Sequence, residues 1–220
     1  MASIEQSYGK NTERIISTIK AARKKGKCFI VFTNGDYILI EKDIVYEFQL
    51  AKGQHLSISL YHSILEKEEL IEAKKKGLSF ATYAIRSTFQ VKNRLMQYGF
   101  SSSVIEQVIT FLKEFNYLSD EEYATQFAKA KIERRYYGYQ RLKRELEKKG
   151  ISRLIIDKTL SEHYPNSIAL ETARKSADKK LRSISFRDDE KKRTQLHNHL
   201  FRQGYSLEII KLIIEEYFRS

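Results

Sequence analysis

A chain of 220 residues, 41% of them hydrophobic and 31% charged, can bury a core of its own and reads as a globular protein of one or two domains. Its formal net charge of +12 points to acidic or phosphorylated partners. A single cysteine, Cys28, excludes an internal disulfide and any multi-cysteine metal site, and the absence of a long apolar run or an apolar N-terminal signal core leads us to expect a cytoplasmic protein without a membrane span.

In chain order, Ile15, Ile16 and Ile19 stand at helical spacing within residues 1–25 and predict a short helix there. Cys28 to Thr33 and Tyr37 to Ile40 are β-branched and aromatic runs separated by Asn34-Gly35-Asp36, a β-hairpin signal. A short helical piece from Asp43 to Leu50 and a turn at Lys52-Gly53 follow. From Leu60 to Lys76 the pattern is helical and charged, and Gly77-Leu78-Ser79 reads as its close. We place a boundary near residue 76, between an N-terminal region (1–76) and a helical region (77–220) of three units, about 77–114, 115–164 and 165–220.

The three units share one grammar. Around Gly150 stand Leu142, Leu146, Ile151, Ser152, Ile155, Ile156 and Leu160. The same offsets hold Val91, Leu95, Phe100, Ser101, Val104, Ile105 and Ile109 around Gly99. Around Gly204 they hold Leu196, Leu200, Tyr205, Ser206, Ile209, Ile210 and Ile214. Such spacing is an internal repeat. Each glycine is expected to stop a helix in the left-handed conformation, where a Cβ is costly, with the next apolar residue folding back on the last turn. Each serine is expected to cap the helix that follows.

Each corner has a third helix upstream. In the central unit it opens at Ser119 with Glu122 three residues on, a capping-box spelling, and continues through Tyr123, Ala124, Phe127, Ala128 and Lys131. Ala169, Ala173 and Ala177 trace the equivalent stripe in the last unit, and Phe80, Ala81, Ala84 and Ile85 in the first. The expected fold is mainly α: three tandem three-helix units stacked as a curved, solenoid-like body, plus a small region with a β-hairpin.

Lys and Arg balance Asp and Glu over residues 1–73, so the whole positive excess lies in the helical region. Its densest stretch carries basic residues interleaved with tyrosines: Lys131, Arg134, Arg135, Tyr136, Tyr137, Tyr139, Arg141, Lys143, Arg144, Lys148 and Lys149. Basic side chains meet phosphates or acidic protein surface, and tyrosines stack on bases or anchor protein interfaces, so these are the candidate partner-binding residues. With Leu142 and Leu146 turned inward, Arg141, Lys143, Arg144, Lys148 and Lys149 are expected on the remaining surface.

Catalytic constellations are missing: there is no Gly-rich phosphate loop, no nucleophile elbow and no paired-carboxylate signature. His197 and His199 are two apart on a helical segment and point to different faces, so they do not form a metal pair. Asp188-Asp189-Glu190, after Ser185, reads as a connector or helix start. No cofactor and no enzymatic activity are expected.

Three segments carry a family resemblance: Tyr117-Leu118-Ser119-Asp120-Glu121-Glu122-Tyr123-Ala124, then Arg141 through Ile151 (RLKRELEKKGI), then Leu200-Phe201-Arg202-Gln203-Gly204-Tyr205. Over residues 80–215 the chain resembles the RecX regulatory proteins. The resemblance implies tandem three-helix repeats in a curved basic body. It also implies a partner, the RecA recombinase filament on DNA, in whose groove such proteins lie, restraining ATP hydrolysis, strand exchange and coprotease activity. Ser119 and Gln203 depart from the family pattern, which has an acidic residue or Asn and a basic residue there. The other reading of the same corners and charge is a helix-turn-helix protein that binds single- or double-stranded DNA directly. A monomer is expected in either case.

Overall fold

The computed structural model describes residues 14–184 and 188–218. The expected loop at Ser185 and the first 13 residues of the expected N-terminal helix lie outside them. In chain order come β1 (Arg14–Ala21), β2 (Lys27–Phe32), β3 (Tyr37–Glu41), α1 (Lys42–Glu47), β4 (His55–Leu56), α2 (Ile58–Tyr83), α3 (Thr88–Gln97), α4 (Ser102–Glu114), α5 (Asp120–Arg135), α6 (Tyr139–Lys148), α7 (Arg153–His163), α8 (Asn166–Arg182), α9 (Asp189–Gln203) and α10 (Leu207–Tyr217). The chain is mainly helical, and among the described residues the strands are confined to the N-terminal part. It divides into two compact units: residues 1–76 with 99–108, and residues 77–98 with 109–220.

The first unit holds an antiparallel sheet of order β3-β2-β1-β4. The hairpin forms as its turn residues dictate, with Gly35 at positive φ and the Asp36 N–H donating to the Asn34 side chain at 3.0 Å. Ile16, Ile30, Phe32, Ile40, Ile44, Leu50, Leu56 and Ile64 form the core. The helix expected over Ile15–Ile19 is instead strand β1. Its register with β2 breaks between Ile16 and Thr18, and such an irregularity switches the face of the residues beyond it. Ile16 and Ile19, three apart, therefore both meet the core, which is how a strand acquires helical spacing.

Beneath the sheet edge lies a buried charge cluster. Lys27 donates to Glu68 and sits 3.5 Å from Glu41, the Glu41 N–H donates to Glu68 Oε2 at 2.6 Å, and Lys75 reaches Glu41 at 2.8 Å. Burial opposes charge on Lys27, yet the hydrogen bond and attraction of Glu68, helped by Glu41 and Glu72, raise its pKa above the ordinary range. Burial likewise opposes charge on Glu41, and Lys75 and Lys27 outweigh it, so its pKa is lowered.

Gly77 does not end a helix, because α2 runs on to Tyr83. Gly77 is buried and lies four residues from Ala73 and from Ala81, both also buried, so it serves a stripe of small side chains rather than a stop. Ala84 and Ile85 fall beyond that helix.

In the second unit the corner grammar is realised atom by atom. Gly150 and Gly204 have φ of 74° and 89°. At the first, Ile151 N–H donates to Leu146 O at 3.2 Å and Gly150 N–H to Glu147 O at 2.9 Å, the two bonds of a Schellman turn. At the second, Tyr205 N–H donates to Leu200 O at 3.3 Å and Gly204 N–H to Phe201 O at 3.0 Å. Ser152 and Ser206 then cap α7 and α10 through the N–H groups of Ile155 and Ile209. Ser119 caps α5 by accepting from the Glu122 N–H, but its hydroxyl turns to Glu121, while the Glu122 carboxylate takes Gln126; the full reciprocal box is at Ser87 and Gln90, heading α3. Leu142, Leu146, Ile151, Ile156 and Leu160 pack with Tyr123, Ala124 and Ala128 in the central repeat, and Ala173, Ala177, Leu196, Leu200, Tyr205, Ile210 and Ile213 in the last.

Candidate partner-binding face

Successive repeats are joined corner to helix start. Ser87, at the head of α3, donates its hydroxyl to Lys149 O at 2.7 Å, and a Cβ on Gly150 would collide with Phe89. One repeat later the arrangement recurs: Gly138 N–H donates to Gln203 O at 2.8 Å and Gln140 N–H to Gly204 O at 3.0 Å. A Cβ on Gly138 would come within 2.5 Å of the Gly204 backbone, and one on Gly204 would collide with Arg141. Glycine is therefore required twice over at Gly150 and Gly204, by backbone conformation and by the neighbouring repeat. At Gly99 only the first reason applies, since nothing lies within 4 Å of a Cβ there.

These joints hold the basic and aromatic stretch. Tyr139 turns inward, its ring 6.4 Å from that of Tyr164, and packs on the core of the central repeat. The half-buried Tyr137 lies under Arg141, whose guanidinium stands 3.9 Å from the ring centroid, with the Lys131 ammonium at 5.9 Å. Arg141 also donates to Gln203 Oε1 at 2.9 Å. Contrary to the expectation from periodicity, Arg141 is thus bound into the joint rather than facing outward. Gln203 suits it because a neutral acceptor there takes the guanidinium's hydrogen bond, where a second cation would repel it.

Of the remaining candidates, Arg134, Arg135, Arg144 and Lys148 are exposed, and Lys131, Lys143 and Lys149 are half-buried. Lys143 leans 3.4 Å from Asp157, and Lys148 lies 3.3 Å from Glu145. Tyr136 ends α5 in the left-handed conformation, and its carbonyl accepts from the Tyr205 hydroxyl at 2.8 Å.

Sequence reasoning missed the basic side of α8. Tyr136, Lys175, Asp178, Lys179, Arg182 and Ser183 line a cleft of about 510 Å³ open to solvent. The Lys179 ammonium is 5.9 Å from the Tyr136 ring centroid. The signal was available: Lys175, Lys179 and Arg182 recur at intervals of four and three, on the side of α8 away from Ala169, Ala173 and Ala177. His199 registers the accumulated positive charge. Burial first, then Lys180, Arg202, Arg141 and Lys179, lower its pKa, and its ring nitrogen Nε2 is 3.0 Å from the Ser176 hydroxyl. Among the described residues no group of three or more His, Cys, Asp or Glu side chains is disposed to hold a metal ion.

Comparison with known proteins agrees with this repeat anatomy. The sequence matches the RecX first three-helix domain over residues 73–112, the second over 119–160 and the third over 168–214. It is 29% identical over 210 residues to the regulatory protein RecX of Clostridium acetobutylicum, covering 94% of this chain and 97% of that one. To the regulatory protein RecX of Clostridioides difficile it is 31% identical over 180 residues, 82% of this chain and 84% of the other. In fold it resembles a crystal structure of a regulatory protein RecX (TM-score 0.73, 22% identity, 92% of this chain and 98% of that one). A second likeness is to RecX from Lactobacillus salivarius (TM-score 0.62, 23% identity, 68% and 97%). With all three of its helical repeats matched in order, the chain belongs to the RecX family of regulatory proteins.

Proposed function

We propose that this protein is a non-enzymatic, monomeric, cytoplasmic regulator that binds the RecA recombinase filament on DNA and restrains its ATP hydrolysis, strand exchange and coprotease activity. The observation that carries the reading is the exposed cationic group of Arg134, Arg135, Arg144 and Lys148 on α5 and α6, set on repeats whose joints are fixed by glycine-to-backbone contact. Long basic surfaces of this kind suit an extended acidic partner rather than a small substrate. Among the described residues no helix is long and apolar enough to cross a membrane.

Direct binding to DNA alone is the competing reading. The Arg141 guanidinium, 3.9 Å from the Tyr137 ring centroid, already stacks on that ring, which counts against Tyr137 as a platform for a base. The deciding experiment is co-sedimentation with preformed RecA filaments at a salt concentration that removes the protein from naked DNA, since phosphate contacts weaken steeply with salt. Retention on filaments, lost in an Arg134→Glu, Arg135→Glu, Arg144→Glu triple variant, is expected. Equal loss from filament and naked DNA with rising salt would assign the protein to DNA alone.

A further inference from the structure

Tyr136 is held where tyrosine is a poor choice. It closes α5 at φ of 54°, its N–H donating to Ile132 O at 3.2 Å as in a left-handed cap, with Tyr137 N–H donating to Lys131 O at 3.4 Å. The helix ends at α3, α6 and α9 place glycine in that conformation, and α4 ends with Asn116, a residue that tolerates it. A bulky side chain there is strained, and the Tyr205 hydroxyl on its carbonyl keeps the backbone in place. What the ring gains by this is a position on the wall of the α8 cleft.

Three of the five other residues of that wall, Lys175, Lys179 and Arg182, are cationic. Lys179 and Arg182 form no ion pair among the described residues, and Lys175 is shared with Glu171 at 2.6 Å. The one lining carboxylate, Asp178, accepts from the Tyr217 hydroxyl at 2.5 Å; burial first, and then this hydrogen bond and the Asp178 charge, push the Tyr217 pKa up to about 12. Ser183 donates its hydroxyl to Lys180 O. The Tyr136 ring, with the Lys179 ammonium 5.9 Å from its centroid and Arg182 beside it, neither cation ion-paired among the described residues, lines an open cleft and matches a base to stack and phosphates to neutralise.

We infer that the cleft between Tyr136 and α8 is a binding site for a free nucleoside polyphosphate, with the Tyr136 ring stacking on the base and Lys179 and Arg182 holding the phosphates. The lining comes from a single turn of chain at Tyr136 and one face of α8, a site for one nucleotide rather than a track for a strand. The inference does not depend on the proposed filament partner, and its test uses neither RecA nor DNA-bound complexes.

Adenosine triphosphate and inorganic triphosphate are titrated calorimetrically into the full-length protein, with a thymidine oligonucleotide as a third titrant. Adenosine triphosphate is expected to bind about tenfold more tightly than inorganic triphosphate. Tyr136→Gly removes that margin while leaving the melting temperature equal or higher, because glycine relieves the strained backbone. Should glycine loosen the chain, Tyr136→Asn, which accepts the same conformation, serves in its place. Lys179→Glu and Arg182→Glu weaken both phosphate ligands, whereas Lys158→Glu, exposed on α7, weakens neither. Equal affinities for the two phosphates in the unaltered protein, no saturable binding of adenosine triphosphate, or saturable binding of the oligonucleotide alone would each overturn the assignment.

Discussion

In the strand-bearing unit Lys27, Glu41 and Glu68 are all buried and bonded to one another, while in the helical repeats Arg134, Arg135 and Arg144 stand in solvent. The interior of the repeats is instead apolar, and closeness between repeats is obtained with glycine. Buried ions give the first unit a specific arrangement of sheet and helix at the cost of desolvation. Apolar stripes and glycine corners leave Arg134, Arg135 and Arg144 of the second unit in solvent. A cationic side chain is thus structural at Lys27 and exposed at Arg134, Arg135 and Arg144, and burial is what separates the two.

The largest expected effect tests that contrast where charge is inside. Lys27→Met leaves Glu68 buried without its cation and is expected to lower the stability of the strand-bearing unit by about 3 kcal/mol in denaturant unfolding. Adding Glu68→Gln is expected to recover part of the loss. A single-variant loss under about 1 kcal/mol would mean that the cluster is not energetically buried.

Next come the glycines. Gly99→Ala carries only the backbone penalty and is expected to cost about 1 kcal/mol. Gly150→Ala and Gly204→Ala also force apart Phe89 and Arg141 respectively, and are expected to cost at least about 2 kcal/mol. Equal thermal melts for the three alanine variants would sink the account of the joints.

A smaller effect separates two arginines on one helix. Arg141→Ala loses the stacking on Tyr137 and the bond to Gln203, an expected cost of about 1 kcal/mol. Arg144→Glu is expected to stay within about 0.5 kcal/mol of the unaltered chain, because an exposed charge contributes little to stability. The order reverses in filament co-sedimentation, where Arg144→Glu weakens retention.

The smallest effect is a difference in acid response. His199 has a lowered pKa, so the stability it contributes is present above its ordinary pKa of about 6.5 and is lost as pH falls from there through its folded pKa. Glu41, also lowered, contributes stability present above the ordinary carboxylate pKa and lost only as pH falls through its depressed folded value. Hydrogen exchange, corrected for intrinsic rates, is expected to show α8 to α10 loosening on going from pH 7 to about pH 6 while β1 to β3 do not. Parallel loosening of both regions would refute the assignment to His199.

The corners were readable because their requirements are local. A left-handed stop needs glycine, the turn needs an apolar residue next, and the new helix needs a capping serine, so three copies at constant offsets declare themselves at Gly99, Gly150 and Gly204. The hairpin at Asn34-Gly35-Asp36 was legible for the same reason. Strand β1 was not, since the spacing of Ile16 and Ile19 becomes a strand pattern only through an irregular pairing with β2. Nor was the helical role of Gly77, because whether a glycine stops a helix or lines a tight stripe depends on what stands around it.

For the candidate site, charge density along the chain singled out the stretch from Lys131 to Lys149, and helical periodicity predicted that Leu142 and Leu146 turn inward, as they do. Only the tertiary structure decided that Arg141 belongs to the joint with Gln203 and that Tyr136 is matched with Lys179 and Arg182 of the next repeat. Sequence by itself determines what a residue and its near neighbours along the chain require, such as caps, stops and apolar faces. Which cations remain free is settled by partners 62 positions apart, as Arg141 and Gln203 are, and that proximity is created by packing one repeat on another.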